Sequence, residues 1–119
     1  MASHNKFGQE AEELATKWLT EHGYEIIDRN WTCGKLEIDI IAKKDEFLHF
    51  IEVKALNNSW IGHPEDAVTR GKLKKLQRAV HEYIFQNPGH DWIQYDIMAI
   101  SFFKDKEPEY FFIEDVFLR

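Results

Sequence analysis

Two runs of apolar and β-branched residues, Leu36 to Ala42 and Phe47 to Lys54, carry charge where a buried strand should carry none. The first contains Glu37-Ile38-Asp39, and the second ends in Glu52-Val53-Lys54. Acidic residues are depleted from strands, and a buried charge is costly unless it is paired or metal-bound. Two carboxylates and a lysine on neighbouring strands therefore need a partner. A divalent cation on a phosphate is the most economical one.

Side-chain alternation along the first run places Leu36, Ile38, Ile40 and Ala42 on one face, with Glu37, Asp39 and Ile41 on the other. In the second run Glu52 and Lys54 share a face with Leu48 and Phe50, while Val53 points the opposite way into the core. A face that begins apolar and ends charged suits a strand whose last residues open into a cleft. Lys43-Lys44-Asp45-Glu46 is the polar hairpin turn between the two.

The rest of the chain supplies a scaffold for that pair. Phe7, Ala11, Leu14, Ala15, Trp18 and Leu19 recur at helical spacing, which predicts an amphipathic helix over 7–22. His22-Gly23 stops it, Gly23 being suited to the left-handed residue past a helix end. Tyr24 to Asn30 reads as a short strand and residues 31–35 as a turn. After a loop over 55–66, Leu73, Leu76, Val80, Tyr83 and Ile84 mark a second helix over 66–86, ended by Asn87-Pro88-Gly89. Trp92 to Phe102 and Tyr110 to Leu118 are two further strands around the turn Lys104 to Pro108. The order is α-β-β-β-α-β-β, an α/β unit with a central mixed sheet flanked by helices. At 119 residues it forms a single domain over 1–119.

Composition limits the function classes. One cysteine, Cys33, excludes an internal disulfide and any multi-cysteine zinc site, and it receives no role. No apolar stretch reaches the roughly 18–20 residues that span a bilayer, and the first residues lack a secretory hydrophobic segment, so no membrane partner and a cytoplasmic location are expected. A net charge of −6 argues against a simple nucleic-acid binder, but not against a nuclease whose carboxylates are neutralised by metal. Arg70, Lys72, Lys74, Lys75 and Arg78 fall in a nine-residue span without an acid, a third of the 15 basic residues. That span reads either as a solvated helix face or as a DNA-backbone contact.

Phosphodiester hydrolysis needs an ion that neutralises non-bridging oxygens and acidifies a bound water. Magnesium prefers carboxylate oxygen and retains several waters, so two or three carboxylates suffice. A lysine beside them can orient or deprotonate the water, or offset developing negative charge. Asp39 on one strand and Glu52-x-Lys54 on the next supply these groups compactly.

These residues resemble the PD-(D/E)xK nuclease signature, with Asp39 in the first acidic position. The resemblance extends over nearly the whole chain to a small bacterial family predicted to be endonucleases (YraN-like), related to archaeal Holliday-junction resolvases. Its carriers are Gly8-Gln9-Glu10-Ala11-Glu12, Glu37 to Ala42, Phe50 to Lys54, Lys72…Leu76…Ala79 and Tyr95-Asp96-Ile97. It implies a restriction-endonuclease-like core and a Mg2+- or Mn2+-dependent endodeoxyribonuclease. Asp39, Glu52 and Glu12 would hold metal and Lys54 would serve the water. Branched or repair-intermediate DNA is the implied substrate, and the pairing of related resolvases implies a homodimer. The chain departs from the family at Leu36 (usually Gly), Leu56 (usually Arg) and Gln94 (often basic).

Other candidates carry bland alternatives. Asp39, Glu52 and Lys54 could form a structural ion-pair cluster. Glu12 and Glu10 border opposite edges of the first helix's stripe, and periodicity does not choose between them; the resemblance favours Glu12. Glu37 could join the site or pair with Lys35 or Lys54. Lys72 and Gln77 are phosphate contacts or polar helix-edge residues. Asp96 reads as a structural partner of a nearby base. Trp60 stacks on a base or anchors its loop. The six histidines show no metal spacing. Beside the metal-dependent endonuclease stand two alternatives: a catalytically weak or inactive DNA-binding repair or recombination accessory module, and an acidic protein-interaction domain.

Overall fold

The computed structural model describes residues 6–57 and 63–118; Trp60 lies outside them. Five strands form one sheet: β1 (Glu25–Cys33), β2 (Leu36–Lys44), β3 (Phe47–Leu56), β4 (Ile93–Ser101) and β5 (Glu109–Ile113). Their spatial order follows the chain, β1-β2-β3-β4-β5. Every neighbouring pair is antiparallel except β3 and β4, which are parallel. A parallel pair needs a crossover connection, and α2 (Arg70–Gln86) lies within it. With α1 (Lys6–Glu21) the order is α-β-β-β-α-β-β, the mixed sheet flanked by helices expected of a restriction-endonuclease-like core.

The alternation of β3 sorts the core into two layers. Ile51 packs with Ala11, Ala15 and Leu19 of α1, and Val53 and Ala55 lie against the same cluster. Leu48 and Phe50 pack with Leu76, Ala79, Val80 and Tyr83 of α2. The helices therefore cover opposite faces. At the end of α1 Gly23 takes a φ of 89°, the left-handed geometry that lets the chain turn into β1.

Four expectations are corrected. The first hairpin is tighter: β1 runs on to Cys33, which pairs with Leu36 across Gly34-Lys35. Trp31 is held in that strand by packing edge-on against Tyr83, ring centroids 5.4 Å apart. The second helix starts at Arg70 rather than 66, because Thr69 caps it by accepting the Lys72 N–H at 3.2 Å; a short 3-10 turn, Pro64–Ala67, precedes it. The last strand stops at Ile113, and Asp115 enters the left-handed region at φ 58° before a 3-10 turn over Val116–Leu118.

The fourth correction concerns β2, whose side chains do not keep one alternation. Ile40 and Ala42 pack on the α1 side, but Ile38 packs with Ile41 on the α2 side. The order slips at Asp39. Asn30 falls opposite Asp39 in the register and has a φ of 53°, so β1 is irregular at the same level.

Candidate functional site

The slip at Asp39 creates the site. Pairing of β2 with β3 runs from Lys44↔Phe47 to Ile40↔Ile51, while β3 stays paired with β4 as far as Leu56↔Ser101. Beyond Ile51, β3 is thus held on one side and open on the other. Asp39 fills the opening: its Oδ2 accepts the Val53 backbone N–H at 2.9 Å. A cavity of about 350 Å³ lies there, lined by Glu12 of α1, Asp39 of β2, Glu52 and Lys54 of β3, and Lys72 of α2.

Its electrostatics are those of crowded, buried acids. Asp39 and Glu52 are only 6% and 8% exposed. Burial, then the charge of Glu52, push the Asp39 carboxyl up to about 8 from 3.8. The Val53 N–H opposes that rise, while Glu12 and Glu37 add to it. Burial also raises Glu52, against the pull of Lys72 and the weaker one of Lys54. Lys72 Nζ meets Glu52 Oε2 at 3.1 Å. Burial works against the Lys72 ammonium, but Glu52, Asp39 and Glu37 outweigh it and raise its pKa.

Five of the sequence candidates therefore meet in one place: Glu12, Asp39, Glu52, Lys54 and Lys72. Glu12 is buried and Glu10 exposed, which decides the choice that helix periodicity left open. Glu37 acts on Asp39, Glu52 and Lys72 through its charge without lining the cavity. Arg70, Lys74, Lys75, Arg78 and Gln77 are exposed on α2 and do not line it. Thr69 does line it, and sequence reasoning missed that residue. A threonine just before the apolar periodicity of α2 was the available signal.

The donor set suits a hard cation. Carboxylate oxygens of Asp39 and Glu52 face one cavity, and burial makes their negative charge costly until something positive arrives. Among the described residues no three His, Cys, Asp or Glu side chains are placed to hold an ion by themselves. An ion here would keep several waters, as magnesium does when held by one or two carboxylates.

Asp96 belongs elsewhere. It is fully buried and meets His49 Nδ1 at 2.7 Å through Oδ2, while its Oδ1 accepts from Gln94 at 3.0 Å and from the Asp115 N–H at 2.9 Å. It ties β3, β4 and the turn after β5 together. Gln94, one of the departures from the resembled family, is thereby used as a neutral donor to that carboxylate. Leu36 and Leu56, the other two, are apolar packing residues: Leu36 lies against the α2-side core and Leu56 is 3% exposed.

The model of the uncharacterised protein family UPF0102 matches residues 11–100. This chain belongs to that family. The UPF0102 match begins one residue before Glu12 and contains all five cavity-lining charged residues. A UPF0102 protein of Chloroherpeton thalassium is 42% identical over 120 residues, covering 93% of this chain and 92% of its own length. One from Flavobacterium psychrophilum is 41% identical over 100 residues, with 84% of each chain covered. A third, from Campylobacter hominis, is 43% identical over 96 residues, covering 81% of this chain and 84% of its own. No helix of the UPF0102 chain, among the described residues, is long and apolar enough to cross a membrane.

Proposed function

We propose that this chain is a divalent-metal-dependent DNA endonuclease acting on branched or repair-intermediate DNA. One observation carries the reading: Asp39, Glu52 and Lys54 converge with Glu12 and Lys72 on a single open cavity at the break between β2 and β3. A merely structural ion-pair cluster would leave two buried acids at a cost that one half-exposed lysine does not remove. A cation on a phosphate removes it and gives the geometry a use.

In this reading Asp39 and Glu52 hold the ion and Glu12 assists from α1. A bound Mg2+ or Mn2+ supplies charge for the non-bridging phosphate oxygens and acidifies a water. Asp39 is locked in aim by the Val53 N–H, so it need not reorganise. Lys54 is exposed at the cavity edge, where it orients the attacking water and receives or releases its proton. Arg70, Lys74, Lys75 and Arg78, exposed along α2, contact the DNA backbone as point charges. A homodimer and a cytoplasmic location go with this reading.

The second reading, a DNA-binding accessory module without turnover, is favoured by one feature. Leu56 puts a buried apolar side chain, outside the cavity lining, where the resembled nucleases carry an arginine, so β3 has one positive charge fewer two residues after Lys54. Nicking of a panel of duplex, flapped and four-way DNA, in Mg2+ or Mn2+ and in EDTA, separates the two. Metal-dependent nicking by the native chain that is lost in Lys54→Ala supports the endonuclease. Salt-sensitive binding with no nicking of any substrate supports the accessory module. Neither binding nor nicking would leave the protein-interaction reading.

A further inference from the structure

The Lys72–Glu52 ion pair joins a half-exposed lysine to a buried acid. Side-chain exposures are 51% for Lys72 and 10% for Glu52, and the Nζ–Oε2 distance is 3.1 Å. The lysine backbone is fixed: its N–H caps on Thr69 Oγ1 at 3.2 Å in the first turn of α2. Half of its side chain meets solvent, which leaves the four-carbon stem room to turn. Glu52 is the same residue that faces Asp39 in the cavity.

An ammonium and a divalent cation compete for a carboxylate of this kind. Glu52, Asp39 and Glu37 draw the Lys72 ammonium, and the same charges would draw a divalent cation. Ammonium and cation repel each other when both are present. The cation is the stronger competitor because it takes carboxylate oxygens directly, whereas lysine offers a single charge through hydrogen bonds. Half of the Lys72 side chain is exposed, so a phosphodiester at the cavity can reach it from solvent.

We propose that Lys72 is a displaceable counter-ion: it covers Glu52 until a divalent cation enters the cavity, then turns to a substrate phosphate. Cation and DNA binding are thereby coupled, each favouring the other. This deepens the nuclease reading and rests on it. A lysine that only fastened α2 to β3 would stay on Glu52 with the cation bound and would couple nothing.

The test measures binding, not turnover, on the full chain. Ca2+ affinity is determined by calorimetry, and affinity for a four-way DNA junction by fluorescence anisotropy with and without Ca2+ at fixed ionic strength. Native protein is compared with Lys72→Met and Lys72→Gln, each first shown to melt cooperatively. Removing the competing ammonium should tighten Ca2+ binding by about fivefold in both variants. Coupling is reciprocal, so the Ca2+-induced gain in DNA affinity should fall in the variants by at least about threefold. Unchanged or weaker Ca2+ binding in both variants overturns the proposal and leaves the nuclease reading standing. So does an undiminished Ca2+-induced gain in DNA affinity. Native protein that binds neither Ca2+ nor Mn2+, with or without the junction, removes both.

Discussion

Asp39 accepts the backbone N–H of Val53 at 2.9 Å, and so a side chain takes the place of a backbone partner just where β2 parts from β3. The two residues are fourteen positions apart in sequence and belong to strands whose regular pairing ends at Ile40 and Ile51. This one hydrogen bond spans the opening in the sheet and fixes the aim of an acid beside Glu52 and Lys54, which line the same cavity. The site is an interruption built into the sheet rather than a feature laid over it.

That interruption should be visible in stability against pH. Burial, then Glu52, hold the folded Asp39 carboxyl near about 8 against an ordinary 3.8. The folded state therefore holds this proton more tightly than the unfolded chain. Its contribution is full below about pH 4, declines as pH rises, and is lost above about pH 8. Glu52 is raised as well and acts in the same direction. Metal-free protein should lose on the order of a few kcal/mol across that window. Asp39→Asn, which can still accept from Val53, should flatten the profile. Denaturant titrations at pH steps from 5 to about 9 check the slope.

Asp96 provides the contrasting case of a buried acid with a structural task. It is surrounded by donors, His49, Gln94 and the Asp115 N–H, and none of these lines the cavity of Asp39. Asp96→Asn should destabilise the fold by about 2–3 kcal/mol by weakening charge-assisted hydrogen bonds. Divalent-cation affinity of the folded variant should match that of the native chain. Chemical unfolding and calorimetry on one preparation measure both.

The exposed basic residues of α2 should act through phosphate charge and not through the cavity. Replacing Lys74 and Lys75 with glutamine should weaken DNA binding evenly across sequences and structures. On duplex DNA the slope of log affinity against log salt should fall by about 0.9 for each phosphate that is no longer neutralised. Ca2+ affinity should not change. Anisotropy titrations over a salt series decide it.

Thr69 should matter twice. It caps α2 and positions the backbone of Lys72, whose side chain reaches Glu52. Thr69→Ala should cost about 1 kcal/mol of stability, and Thr69→Ser close to nothing. If the cap also sets the reach of Lys72, Thr69→Ala will shift Ca2+ affinity in the same direction as Lys72→Met, whereas Thr69→Ser will not.

Much of this was legible in the chain. Charge inside apolar strand runs singled out Asp39, Glu52 and Lys54 as candidates, which the fold brings to one cavity, and helix periodicity with Gly23 gave α1 closely. The element order followed from the punctuation of Gly, Pro and polar turns. What failed were places where one residue overrides a regular pattern. Asn30 looked like a strand end, but in the left-handed conformation it lets β1 continue to Trp31 and its packing partner Tyr83. Asp39 broke the alternation that should have grouped Ile38 with Ile40. Local pattern also could not select Glu12 over Glu10; the resemblance favours Glu12, and its burial on α1 against the cavity agrees. In sequence Lys72 stands apart from the basic run only as a helix-edge residue, and of that run it alone lines the cavity with the acids.

The proposed chemistry stands or falls on Asp39 and Glu52 together holding a divalent cation, and anomalous scattering from crystals grown with Mn2+ probes that pair without an intermediary. A manganese peak is expected within about 2–2.5 Å of a carboxylate oxygen from each, its remaining positions filled by water. Manganese bound elsewhere on the chain, with Asp39 and Glu52 still facing an empty cavity, would contradict it.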